Sequence, residues 1–164
     1  QDFTAGTVHK IFLKRTAVLA VSIRHRLGVW GQKEGSECAW FDDGGVVIEP
    51  AAQPEGQLVM RIDSAASGPL ETGSRVLPEP LFLNVRLAVA ILAANKVGIR
   101  RMSADVATSE LRVTTIDGAL FVFSLRFSPQ SLAGPLAQLL EKTPLATIER
   151  LDLTVENKLY LTPR

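Results

Sequence analysis

The sequence predicts an α+β fold, a mostly antiparallel, bent β-sheet with about two flanking helices. Three observations lead there. Several short runs alternate apolar and polar residues with a period of two, the mark of half-buried strands. Two clusters, Asp42-Asp43-Gly44-Gly45 and Asp117-Gly118, each separate a pair of apolar runs with residues that readily adopt hairpin-turn backbone. Two further segments, each just behind a proline, are rich in helix formers instead.

In chain order, Thr16 to Trp30 alternates, with Leu19, Val21 and Ile23 on one face and Ala20, Ser22 and Arg24 on the other, and reads as one half-buried strand. Cys38 to Glu49 reads as strand, tight turn, strand. Leu58 to Ile62 is a further short strand, and Ser64 to Gly73 is too rich in Ser, Ala and Gly to be more than a loop. Behind Pro78 and Pro80, a first helix over Leu81 to Asn95 places Leu83, Leu87, Ala90, Ile91 and Ala94 at helical spacing, with Asn95 and Gly98 as terminators. Ile99 to Ala104 and Leu111 to Ile116 are strands, and Asp117-Gly118 joins the second of them to Leu120 to Phe127. Ser128-Pro129 caps a second helix running to Lys142, which Gly134-Pro135 kinks or delays. Ile148 to Val155 and Lys158 to Leu161 close the chain, separated by Glu156-Asn157.

At 164 residues the chain fits one domain and is long enough to bury a core. Its 46% apolar and 21% charged residues place it outside disorder and coiled coils. A net charge of +1 gives no electrostatic footprint for nucleic acid. Charge is unevenly spread, since residues 1–33 hold six Lys/Arg against one Asp and residues 34–72 one Arg against eight Asp/Glu, a pattern that solvated strand faces explain. No run reaches the roughly 18 to 20 apolar residues of a membrane helix; the longest, Leu81 to Ala94, is broken by Asn84 and Arg86. Without an initiating Met or a secretory signal, the sequence is expected to be a fragment with its anchor upstream.

Signs of chemistry are sparse. Neither a phosphate-binding loop nor a dinucleotide fingerprint is present. His9 and His25 lack metal-ligand spacing, and the single Cys38, beside Trp40 and Phe41, is expected to be a small buried hydrophobe. No metal or cofactor is expected, and Asp42 and Asp43 belong to a turn. A hydrolase assembling Asp42, Glu49 and Asp152 is the reading from the enzyme class; the expected answer is no enzyme. Tyr160, in Lys158-Leu159-Tyr160-Leu161, is the aromatic most worth inspecting for recognition, because a terminal strand can form a sheet edge that another chain completes.

Three stretches carry a family resemblance. Leu13 to Arg24, ending in Gly28-Val29-Trp30, resembles the strand by which the FtsQ/DivIB bacterial division proteins leave their POTRA module and enter their β domain. Cys38 to Glu49 resembles the following hairpin, with Asp42 and Gly45 at the family's usual Asp and Gly. Ile148 to Leu153, followed by Asn157 to Leu161, resembles the closing strands. Ile23 and Arg26 stand where that family often has Glu and Pro, and Thr154 replaces a frequent Arg.

The resemblance implies residues 1–15 as the end of an upstream POTRA-like module or linker, and residues 16–164 as a β-type interaction domain. It implies a non-catalytic scaffold at the extracytoplasmic face of the bacterial cytoplasmic membrane, at the septum. FtsB/DivIC-like and FtsL-like partners would bind by strand addition at Asn157, Lys158, Leu159, Tyr160 and Leu161. A different cell-envelope interaction module, for secretion or assembly, is the alternative.

Overall fold

The computed structural model describes residues 3–11, 16–32, 37–52, 59–65 and 69–164. Strands β1 (Phe3–Ile11) and β2 (Thr16–Ile23) pair antiparallel as a two-stranded sheet, with Val8 opposite Leu19. The boundary expected between residues 15 and 16 falls at the start of β2, and residues 12–15 lie outside the described residues. The strand expected from Thr16 to Trp30 is two strands, because the chain breaks at residues 24–27 and β3 (Gly28–Gln32) joins a different sheet. Three consecutive polar residues, Arg24-His25-Arg26, interrupt the alternation at that break.

The larger sheet has nine strands. After β3 come β4 (Cys38–Phe41), β5 (Val47–Ala51) and β6 (Arg61–Ser64), then helix α1 (Glu79–Ala94). Strands β7 (Ile99–Asp105), β8 (Glu110–Thr115) and β9 (Leu120–Ser124) lead into a 3-10 turn at Pro129–Leu132 and helix α2 (Ala133–Lys142). Ser128 Oγ accepts from the Gln130 N–H at the start of that turn, and the α-helix begins only at Ala133, next to Gly134-Pro135. Strands β10 (Ile148–Leu153) and β11 (Tyr160–Pro163) finish the chain, and the spatial order is β11-β10-β9-β8-β7-β6-β3-β4-β5.

The α+β class holds, but the sheet is mixed instead of mostly antiparallel: β3/β6, β6/β7 and β9/β10 are parallel. For β6/β7 and β9/β10 the physical reason lies in the helices: α1 and α2 are the crossovers of strand–helix–strand units, and a parallel pair requires such a return, whereas β3 returns to β6 through β4 and β5.

Register places the core on one face of this sheet. Ile62, Met102, Val113, Phe121 and Leu151 lie side by side across five strands, and Leu161 stands at the end of that row. Below them run Ala104, Leu111, Phe123 and Leu153. All but Leu161 are buried and share one cluster with Phe82 of α1 and Leu136 of α2. Burying a side chain of this size contributes about 1.5–3 kcal/mol.

Helix α1 turns a different face inward from the one its spacing suggests. Phe82, Val85, Ala88, Ile91 and Leu92 are buried, whereas Leu83, Ala90 and Ala94 are exposed. Edge-on ring contacts from Trp30 to Phe41 (6.3 Å) and from Phe41 to Phe82 (5.6 Å) fasten it to the sheet. The buried Asn84 is satisfied by donating to the Leu125 carbonyl at 2.8 Å.

Candidate functional site

The β11 edge is assembled from the turn that precedes it. The Lys158 N–H donates to the Val155 carbonyl at 3.1 Å, and Asn157 sits at φ 60°, a left-handed conformation that Asn tolerates. Asn157 lies in the turn where the sequence placed it, and Lys158 joins it, because the strand expected from Lys158 begins only at Tyr160. Leu159 is half-buried against the core. Tyr160 and Leu161 are 52% and 39% exposed, so the edge carries two large side chains open to solvent.

Main-chain direction along β11 follows from its two ends. The Arg164 N–H donates to the Thr147 carbonyl at 3.0 Å, and Pro163, which has no N–H, stands opposite Ile148. Alternate residues of an antiparallel strand turn their main-chain groups to the same side. Thr162 and Tyr160 thus bond toward β10, while Leu161 turns its N–H and C=O outward and Pro163 only its C=O. Proline in this position is what an edge strand accepts.

The two faces of the edge differ. Leu161 is paired with the buried Leu151 and carries the apolar row out to the rim. Tyr160 is paired with Asp152 on the opposite, solvated face. Asp152 accepts from the Thr154 hydroxyl at 2.6 Å, the Thr154 N–H at 3.0 Å and Arg150 at 2.7 Å. Partial burial raises its pKa, but the hydrogen bonds from Thr154 and the nearby Arg150 outweigh that and hold it below the ordinary carboxylate value.

The two expected turns lie at fixed points of this frame. Asp117-Gly118 links β8 to β9, with Gly118 at φ 84° and its N–H donating to the Thr115 carbonyl. Arg164 reaches over from the end of β11 to donate to the Asp117 carbonyl at 3.1 Å, tying turn to edge. Asp42 to Gly45 links β4 to β5: Asp42 Oδ1 accepts from the N–H groups of Gly44 and Val46 at 2.9 and 2.8 Å, and Oδ2 pairs with Arg24 at 3.2 Å. Gly45, at φ 74°, lies so close to Phe82 that a Cβ there would approach the ring to 2.6 Å.

The carboxylates considered for an acid–base site are kept apart. Asp42 and Glu49 belong to the β4–β5 end, where Glu49 pairs with Arg26, itself 5.2 Å over the Trp40 ring. Asp152 lies on β10, at the other side of the sheet. Among the described residues no cluster of three His, Cys, Asp or Glu could hold a metal, and no helix is long and apolar enough to cross a membrane. Cys38 is buried in β4.

Sequence reasoning missed one further feature, a cleft along α1. Met60, Val89, Ile99 and Met102 line a cavity of about 340 Å³, with Arg61 and Arg101 at its mouth. Asp63 accepts from Arg61 at 2.8 Å and from Arg101 at 3.2 Å, and the hydrogen bond to Asp63 raises the Arg61 pKa. Its wall residues, from Leu27 to Met102, are distant in sequence, so no local pattern signals it.

Neither a family model nor a curated protein matches this chain.

Proposed function

We propose that the chain is a non-catalytic interaction domain of the bacterial cell envelope, a division scaffold that binds FtsB/DivIC-like and FtsL-like segments by strand addition along β11. The observation that carries the reading is the open edge, where an apolar row runs out to a half-exposed Leu161 whose N–H and C=O point away from the sheet. An incoming strand would bond to these groups, continue the apolar row with one side chain and meet Tyr160 and Thr162 with the next. Residues 160–162, with Leu159 buttressing them from the core, are the contact set; Asn157 and Lys158 form the turn beside it. The extracytoplasmic, septal location belongs to the same proposal and rests on the family resemblance.

The test is a titration of the domain with synthetic membrane-proximal segments of FtsB/DivIC-like proteins. Leu161→Pro removes the outward N–H without removing a bond to β10, while Leu161→Ala keeps that N–H. Saturable binding by the parent, weakened by Ala and abolished by Pro, supports strand addition. Equal binding by all three overturns it. Absence of binding by the folded parent moves the assignment to another envelope interaction module, for secretion or assembly.

A further inference from the structure

A second surface lies at β6, β7 and α1, separated from β11 by β8, β9 and β10 in the sheet order. Strands β6 and β7 pair only from Ile62 and Met102 onward, so the residues just before them diverge and open the cleft described above. A second cavity of about 240 Å³ continues it along α1, sharing Met60 and Val89 and walled by Leu27, Phe82 and Val85. Phe82 to Val89 rises about 10 Å along the helix, the length of two helical turns. The floor is apolar and partly open: Met60, Val89 and Ile99 are half-buried, and Leu27 is 40% exposed. Both methionines of the chain line it, and the unbranched, polarisable thioether adapts readily to an apolar guest.

Charge around this floor is one-sided. Arg61, Arg86, Arg100 and Arg101 line the two cavities, and among the described residues Asp63 is the single acid lining them, already held by Arg61 and Arg101. Arg86 donates to the Asp43 carbonyl, which leaves its charge uncompensated. Arg100 is exposed and makes no ion pair among the described residues.

We infer that the groove between α1 and the diverging ends of β6 and β7 docks an acidic amphipathic helix of a protein partner. Apolar side chains at i, i+4 and i+7 fill the two cavities, and Asp or Glu at the ends face the arginines. An apolar stripe alone would fit any greasy segment; the arginine rim selects acidic flanks and disfavours basic ones.

The probe is a synthetic helical peptide with Leu at i, i+4 and i+7 and Glu at both ends, compared with the same peptide carrying Lys for Glu. The Glu peptide binds the full chain about tenfold more tightly, a gap within reach of a few charge pairs. Arg100→Glu, on the surface, abolishes or inverts that preference without changing the unfolding midpoint, and Val89→Asp removes binding. The methyl NMR signals of Met60 and Met102 both shift on titration. Equal affinity for the two peptides, an unchanged preference in Arg100→Glu, or methionine signals that stay still would each overturn the assignment. So would binding of anionic phospholipid vesicles without binding of the Glu peptide. If Val89→Asp fails to fold, the charge variant and the methionine signals still decide.

Discussion

The two edges of the nine-stranded sheet meet the same hazard in different ways. A free edge invites pairing with any extended chain. At β5 the hazard is covered: the Val47 N–H donates to the Ser74 carbonyl at 2.8 Å, and the Val47 carbonyl accepts from the Gly73 N–H at 2.8 Å. Val46 bridges to Arg75, and Arg75 and Arg86 donate to the turn carbonyls of Gly44 and Asp43. Pro50 then withdraws one donor from the rest of that strand. At β11 no segment among the described residues lies alongside, all four residues are exposed, and Pro163 alone trims the edge. One edge is closed by the protein's own chain and the other is left available, with an apolar row leading out to it.

The sharpest break of that contrast is at the closed edge. Gly45→Ala forces an L-residue into φ 74° and drives a Cβ to within 2.6 Å of Phe82. Strain at the turn and overpacking against α1 together cost about 2–4 kcal/mol. Leu161→Ala at the open edge, where the side chain is already part-exposed, costs about 1 kcal/mol or less. Urea unfolding of both variants checks the pair; equal losses would remove the distinction between a structural and an available edge.

A smaller effect tests what Pro163 does. Pro163→Ala restores an outward N–H two residues beyond that of Leu161 and lengthens the template by one donor. Its expected consequences are tighter strand addition, by roughly 1 kcal/mol or less, and self-association at high concentration. Binding titration and sedimentation read the two outcomes, and a variant identical to the parent in both would mean that the edge is not recognised through its main chain.

Legibility in the sequence followed the range of the interactions. Both Asp/Gly hairpins were readable because a turn is decided by the residues inside it, Gly45 and Gly118 at positive φ above all. The late start of α2 was likewise written in Gly134-Pro135. Parallel pairing was not read from local alternation, since Ile62 or Phe121 would show the same period in either direction; the strand–helix–strand order was the available clue. The buried face of α1 was misjudged because Leu83, Leu87 and Ala90 are as apolar as Phe82, Val85 and Ala88. Of the three residues on the misread face, Ala90 alone lines the cleft. For the edge, Tyr160 and the closing strand were legible, but the left-handed Asn157 moved the strand start beyond Lys158. Pro50 and Pro163, one in each edge strand, were signals present in the sequence and unused.

The smallest expected effect concerns the solvated face of the open edge. Asp152 is held below its ordinary pKa by Thr154 and Arg150, so its ionised form is favoured by folding. A lowered folded-state pKa means a contribution that is fully present above the unfolded value, about 3.9, and is lost as pH falls through the folded value. Asp152→Asn removes it. Because the side chain is 26% exposed and its arginine partner more so, the difference is at most about 1 kcal/mol. The gap in stability between parent and variant is therefore constant from neutral pH down to about 5 and closes below about 4. Unfolding curves at three pH values check it. A gap that widened on acidification would mean that Asp152 is not stabilised as the carboxylate, and that the Arg150–Asp152–Thr154 group beside Tyr160 is held together by packing instead of charge.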